Sequence, residues 1–504
     1  MSSTVIVCII ILLYLAIVTF VGIKAAGSAK DDSVDEFVAA DGSLNGVTMY
    51  FLMGGAIFSA FAFLGGPGWA YSKGAASFYI MAYCAMGLLS WLVWGPKAYR
   101  MGKRYHYITQ AQLLSDRFES KVLSGLIAVV SILAFIQYIA LQLKGMAYVL
   151  NVTTNGTIPF WLGALLAYGV VLVYVLTSGV RGVAWTNVLQ GVLMLAMAWI
   201  LGLWLPHKFH GGISNMFASI QAADPQHLLM GTKMSWAKYS SALVVSILGF
   251  TMWPHLFMKA YASDSEKTLK KTVALYPTFA IFMVPVLFIG FAGIGIVPYG
   301  TLESADQILP YMVTQLDLHP ILLGLVAAAT LAAAMSSSDT ITHGAASIYT
   351  LDFHKKLINP DMDDKKAMFV TRVGIVVFCS VAYYVAVFGA HSLVALLLGA
   401  YGAIVQIFPL VFTTFFWPRA TKQGAICGFV AGVAVNFYIV IAGVSFHDIH
   451  SGIWGLLANF AILILVSLVT KAHNADHVSK FVEESHIPVD KEDLEKYEIA
   501  HRAN

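Results

Sequence analysis

Pro320-Ile-Leu-Leu-Gly-Leu-Val-Ala-Ala-Ala-Thr-Leu-Ala-Ala-Ala-Met335-Ser336-Ser337-Ser338-Asp339-Thr340-Ile-Thr-His343-Gly-Ala-Ala-Ser-Ile348 decides how this chain is read. The stretch is long and apolar enough to cross a bilayer, yet the run Ser336 to Thr340 is wholly polar. Hydrocarbon offers hydroxyls no partner, and a carboxylate near mid-membrane is costly enough to mark a site. Several neutral or weakly charged oxygens suit a hard monovalent cation, as more strongly charged sets suit calcium and magnesium. The plain alternative is that each serine bonds back to the carbonyl four residues earlier.

The rest of the chain fits that solvent. Of its 504 residues 59% are hydrophobic and 11% charged, and the mean hydropathy is +0.75, outside the soluble range. Apolar stretches of roughly 20 residues predict an all-α polytopic membrane protein. Thirteen transmembrane helices are expected, near 4–24, 46–66, 76–98, 122–150, 159–177, 184–205, 237–259, 272–297, 319–345, 368–388, 391–416, 422–443 and 452–470. The transmembrane domain would cover 1–471, with an extra first helix, a core over 46–416 and two extra final helices, leaving 472–504 as a tail. Thr109 to Phe118 and Ala305 to Leu316 read as short interfacial segments.

Charge predicts orientation. The first span has no basic residue before it and Lys24 at its far end, so it reads as a retained helix with its amino end outside. With that start, 24 of the 30 lysines and arginines fall on the cytoplasmic side; Lys73, Lys208, Lys233 and Lys238 fall outside, and Lys144 and Arg372 sit in or near spans. The tail is then cytoplasmic, and the location is the plasma membrane, that of a bacterial inner membrane. The formal charge of +3 is explained by this asymmetry and gives no hint of nucleic acid. Cys8, Cys84, Cys379 and Cys427 lack paired spacing and read as packing residues. Asn151-Val-Thr and Asn155-Gly-Thr form sequons on a loop expected outside. The tail carries amphipathic patterns at Val478 to Glu484 and Lys491 to Ile499. Nothing in the sequence sets the oligomeric state.

Two spans look interrupted. The second holds Gly54-Gly55 and ends in Gly65-Gly66-Pro67-Gly68; the seventh holds Gly249 followed by Trp253-Pro254-His255. They are five spans apart. Broken helices at matching positions of two inverted five-helix halves point to a transporter's binding site, because freed carbonyls and half-helix ends meet ion and solute near the midplane. Taken singly, each glycine or proline reads equally well as close packing or a tolerated kink.

Four stretches, in order, resemble the sodium/solute symporter family. Gly42-Ser43-Leu44 with Ser59-Ala60 and Gly65-Gly66-Pro67-Gly68 is similar to its first core helix, and Trp253-Pro254-His255 with Lys259 to its broken sixth. Met335-Ser336-Ser337 through Asp352 resembles its sodium-binding helix and acidic cap, and Phe416-Trp417-Pro418-Arg419-Ala420-Thr421 with Gly424, Gly428 and Gly432 its late signature. The resemblance covers nearly the whole chain. It implies a leucine-transporter-like core with an inverted 5+5 repeat, and Na+ held by the Ser336 and Ser337 hydroxyls and the carbonyls of Gly55, Phe58 and Ala333. Spacing agrees: Ala333 and Ser337 share a helix face, and Gly55 and Phe58 flank the suspected break. Asp339 points elsewhere and is expected to gate. Where many relatives have an aspartate after Trp-Thr, this chain has Trp185-Thr186-Asn187, which favours one sodium per cycle and makes Asn187 a gating candidate. One charge moving down about 100 mV supplies about 2.3 kcal/mol.

The solute is expected to be small. Phe61-Ala62-Phe63 follows the first break where the family's sugar carriers place polar side chains, so a polyol is disfavoured. An apolar pocket with one anion anchor suits a short monocarboxylate of the lactate, pyruvate or propionate type. The candidate contacts are Phe61, Ala62, Gln142, Lys144, Thr251 and Trp253, with His255 as a gate. Lys144 snorkelling to an interface is the rival reading. Gln142-Leu-Lys-Gly-Met and Phe250-Thr-Met-Trp-Pro-His resemble the family's bacterial monocarboxylate carriers, with pantothenate carriers and proline or alanine carriers as alternatives. A proton-coupled carrier and a transporter-like sensor are the rivals of another kind. An enzyme is not expected: Asp339, His343 and His255 match no metal spacing.

Overall fold

The computed structural model describes residues 3–26, 43–316, 318–389 and 393–489. Lys30, Gly42 and the tail pattern Lys491 to Ile499 lie outside the described residues. The described chain is helical, with no β-strand beyond a single bridge between Leu44 and Ser263.

The helices begin where polar side chains close their free amides. After α1 (Ser3–Ala26), α2 (Gly46–Ile57) is capped by Asn45, and the chain resumes as α3 (Gly66–Lys73) behind a π-helical turn, Phe61–Gly65. Next come α4 (Phe78–Gly87) and α5 (Trp91–Tyr105). Thr109 and Gln112 form a capping box on α6 (Gln110–Arg117), and Ser120 caps α7 (Lys121–Thr153). α8 (Phe160–His210) is 51 residues long but bends at Gly179, whose φ of 55° only glycine takes easily. The expected spans 159–177 and 184–205 meet at that bend. α9 (Ile213–Ala223) leads to α10 (Trp236–Phe250), then to the short helices α11 (Pro254–Phe257) and α12 (Lys259–Ala262), α13 (Glu266–Ala280), α14 (Met283–Gly293) and α15 (Ile308–Thr314). α16 (Pro320–Ile348) continues into π-helix over Tyr349–Ile358. The series ends with α17 (Asp364–Phe388), α18 (Leu393–Ile404), α19 (Phe408–Phe416), α20 (Lys422–Ala442), α21 (Ser451–Val469) and a tail helix, α22 (Ala475–Val482).

Among the described residues ten helices are long and apolar enough to cross a membrane, or up to 11 with the bent pair Trp236–Phe250 and Pro254–Ala262 counted as one span. The expected thirteen are not all reached by that measure. The second span falls on the short helix Gly46–Ile57 and its continuation, and the fifth on Phe160–Val173, both too short alone. The segment 305–316 is not a surface strip: Ile308, Leu309, Met312 and Val313 are buried.

α16 lies at the centre, buried along most of its length between α7, α8 and α1. Glycines let the outer helices close up. A Cβ at Gly428 or Gly432 would sit 2.8 or 2.9 Å from a carbonyl of α21, so these two helices pack backbone to backbone.

Candidate ion and solute site

The first break is an exchange of hydrogen bonds. In a continued helix the Ser59 amide would reach the Gly55 carbonyl and the Ala60 amide the Ala56 carbonyl. Instead Ser59 N–H turns to Ile57 O at 3.1 Å, and Ala60 N–H donates to Gln142 Oε1 at 3.0 Å. Phe61 N–H goes to its neighbour's hydroxyl, Ser59 Oγ, at 3.2 Å. Phe58 sits at the break with φ −84° and ψ 82°. The Gly55 and Ala56 carbonyls are thereby released. The break lies three residues past the Gly54-Gly55 pair, which remains helical because Phe279 and Asn187 pack against it.

The released Gly55 carbonyl is taken up by α16. Ser337 Oγ donates to it at 2.8 Å and Ser336 Oγ at 3.1 Å, while Ser336 Oγ also lies 3.0 Å from Ala333 O. Four of the five expected ion ligands thus meet in a space the size of one coordination shell, and Phe58 lies at the break of the same segment. The oxygens lie about as far apart as those around an ion held at 2.3–2.6 Å, calcium's range and close to that of the similarly sized sodium ion. Phe58, Ala333, Ser336 and Ser337 are at 0% exposure, and Gly55 is buried. The donor set is neutral, which fits a monovalent ion that must also leave.

The second break mirrors the first. The chain bends by 45° between α10 and α11, with Trp253 extended at ψ 120°. Trp253 is 1% exposed and joins an aromatic chain: its ring lies 5.6 Å from Tyr401, Tyr401 lies 5.9 Å from Tyr83, and Tyr83 lies 5.9 Å from Phe61. The Tyr138 ring lies 5.1 Å from that of Trp253, tilted by 52°, and brings its hydroxyl to 3.5 Å from Ala56 O. Ala62 is buried beside Phe61 in sequence, and the structure links Phe61 and Trp253 through one aromatic chain between the breaks. Tyr83, Tyr138 and Tyr401 belong to it and were not singled out from the sequence, because lone tyrosines in apolar spans carry no local signal.

The remaining candidates divide. Gln142 spends its carbonyl oxygen on the Ala60 amide, and its buried Nε2 has no partner. Thr251 is engaged by Ser90 at 2.8 Å and by Trp94 Nε1 at 3.2 Å, which ties the second break to α5. His255 is buried against Phe135, Tyr138 and Trp253, with neither ring nitrogen partnered. Lys144 turns to the end of α17, donating to Gly389 O at 3.0 Å within the field of Asp306. Asp339 faces α8: its Oδ2 lies 3.5 Å from Thr186 Oγ1, and its Oδ1 accepts from Thr340. Asn187 packs on Gly55 and donates to Thr340 Oγ1 at 3.4 Å. The carboxylate absent at position 187 thus stands across the interface, on α16.

Known proteins resemble this arrangement. An uncharacterized symporter of Bacillus subtilis, YhjB, is 32% identical over 474 residues, covering 90% of this chain and 94% of that protein. A monocarboxylate transport permease protein of Rhizobium johnstonii is 24% identical, covering 92% of this chain and 96% of its own length. Among solved structures, a Na+-coupled sialic acid symporter in a substrate-bound outward-open state matches with a TM-score of 0.77 at 20% identity, over 93% of this chain and 98% of that one. Mhp1, a nucleobase-cation-symport-1 family transporter, matches at 0.58 and 14%. The sequence pattern of the sodium:solute symporter family fits residues 37–432, and the chain belongs to that family.

Proposed function

We propose that this sodium-coupled symporter carries a short monocarboxylate by alternating access, with one Na+ per cycle held by Ser336, Ser337 and the carbonyls of Gly55, Phe58 and Ala333. The observation that carries the reading is the pair of α16 hydroxyls closing on the freed Gly55 carbonyl at 2.8 and 3.1 Å. An ion inserted there draws α16 and the broken segment together, and the same segment lines the aromatic centre. Ion and solute are then coupled through one conformational preference and need no direct contact.

The solute class follows from what lines that centre. Rings of Phe61, Tyr83, Tyr138, Trp253 and Tyr401 offer apolar walls, while Gln142 Nε2 and the His255 ring nitrogens are buried and unspent. A few polar groups in an apolar cavity suit a small amphiphilic anion better than a polyol. The Rhizobium permease is a relative whose printed name agrees. We further assign thirteen spans in two inverted halves, an outside amino end and a cytoplasmic tail, on the distribution of basic residues.

Counterflow with purified protein in liposomes tests this, against lactate, pyruvate, propionate, pantothenate, proline and glucose, with and without sodium. Sodium-dependent exchange of the first three is expected. Exchange of pantothenate or proline alone would reassign the solute, and uptake sustained by a proton gradient without sodium would reject the ion assignment.

A further inference from the structure

A second polar cluster lies at the far end of the ion-site helix, where the transport reading gives it no task. Asp352 follows Ser337 by 15 positions, on the π-helical continuation Tyr349–Ile358. At a helical rise this is about 20 Å, and the topology proposed above puts it at the cytoplasmic side. The side chain is at 0% exposure. Its Oδ1 accepts the Thr109 hydroxyl at 2.7 Å, and its Oδ2 has no partner.

Around it the polar atoms are left incomplete. Tyr261, 5% exposed and near enough to feel the Asp352 charge, has an unpartnered hydroxyl. Gln110, next to Thr109, has an unpartnered Oε1 while its Nε2 leans on Met252 Sδ at 4.0 Å. The cation whose field reaches the carboxylate, Lys356, donates its ammonium to Ser115 Oγ at 2.5 Å. Buried groups are ordinarily satisfied, and the unpartnered Oδ2 of Asp352 calls for a ligand. A carboxylate, a hydroxyl, a phenol and an amide oxygen together make an oxygen shell for a hard cation. Thr109 caps the start of α6, Tyr261 lies on α12 beyond the second break, and Asp352 lies on the π-helical continuation of α16, a form concentrated at functional positions.

We propose that Asp352, Thr109, Gln110 and Tyr261 form a waystation for the departing cation, which occupies it transiently between the Ser336/Ser337/Gly55 site and the cytoplasm. The proposal rests on the sodium-coupled reading above. The Thr109–Asp352 hydrogen bond closes the path when no ion is passing, and an arriving Na+ displaces that proton donor and is held by the carboxylate. A single negative charge balances a single positive one, so the ion gains a partner at the point where it has left the neutral site.

The test separates ion release from solute exchange. Purified full-length protein in liposomes is assayed for sodium-gradient-driven net uptake into a sodium-free lumen, and for counterflow with equal sodium on both sides, which requires no net release of the ion. Asp352→Asn is expected to slow net uptake about tenfold or more while leaving counterflow and the external sodium for half-maximal rate within about twofold. Asp352→Glu is expected to regain at least half of the lost rate. Equal loss in both assays, full net uptake in Asp352→Asn, or no recovery in Asp352→Glu would overturn the waystation. If Asp352→Asn does not fold, Thr109→Val is read in the same two assays for the same selective loss. Sodium-independent uptake by the unaltered protein would instead strike the coupling assignment, so the two failures are distinct.

Discussion

Ser337 donates its hydroxyl to the Gly55 carbonyl at 2.8 Å, joining residues 282 positions apart in the chain. The carbonyl is available because the Ser59 amide has turned to Ile57. Hydroxyl and carbonyl satisfy each other, so neither of these two buried oxygens is stranded.

Removing that hydroxyl should be read chiefly in sodium. Ser337→Ala deletes one of five ligands, and a loss of about 1.4 kcal/mol is tenfold in affinity. The sodium needed for half-maximal uptake is expected to rise by about that factor or more, with the solute half-saturation at saturating sodium within about twofold. Unchanged sodium dependence rejects Ser337 as a ligand.

Close packing around the first break should be unforgiving on one side only. A Cβ at Gly290 of α14 would sit 2.0 Å from the Pro67 carbonyl of α3, a backbone contact that no rotamer change relieves. Gly290→Ala is expected to cost about 1–3 kcal/mol and to lower the melting temperature of detergent-purified protein. Gly46, with nothing within 4 Å of its added Cβ, is the control. A Gly290→Ala protein as stable as Gly46→Ala would mean the two helices sit further apart.

Lys144 offers a sharper choice. Its bond to the Gly389 carbonyl holds the end of α17, a role a methionine cannot fill. If that is its whole task, Lys144→Met loses about 1.5–3 kcal/mol, the worth of a hydrogen bond from a charged group, with the solute half-saturation unchanged in uptake assays. A large rise in half-saturation at unchanged melting temperature would make Lys144 a solute contact.

The polar run on α16 was legible because hydroxyls in hydrocarbon are anomalous, and the choice of Gly55 as the partner of Ser336 and Ser337 comes from the family resemblance; the structure brings those three residues together. What was not legible was the use to which each polar group is put. Gln142 accepts the Ala60 amide, Thr251 ties α10 to α5, and Lys144 reaches a carbonyl 245 positions away, none of which a local pattern announces. Asp339 and Thr186 meet 153 positions apart, and Asp352 and Thr109 meet 243 apart. Pairings of that range depend on how helices cross, which periodicity does not encode.

The tail's docking should depend on pH, and the sign follows from its hydrogen bonds. Arg100 donates to the Ser485 and His486 carbonyls and Arg104 to those of Glu484 and Ile487, while Phe481 is fully buried. His473 uses both ring nitrogens, Nδ1 towards Glu119 at 2.7 Å and Nε2 accepting the Lys422 amide at 3.1 Å, so it docks as the neutral ring. Burial holds its pKa below the ordinary 6.5, with the Glu119 carboxylate opposing more weakly. A lowered histidine pKa contributes its full stabilisation above 6.5 and loses it as pH falls below that value. Glu119, held below its usual 4.5 chiefly by His473, contributes above that value and is not lost in the same window. Hydrogen exchange of residues 473–489, corrected for intrinsic rate, is expected to speed up between about pH 7.5 and about pH 5.5. A His473→Gln variant, whose amide donates and accepts without titrating, should hold its protection across that range. Equal loosening in both proteins would assign the pH response to some other group.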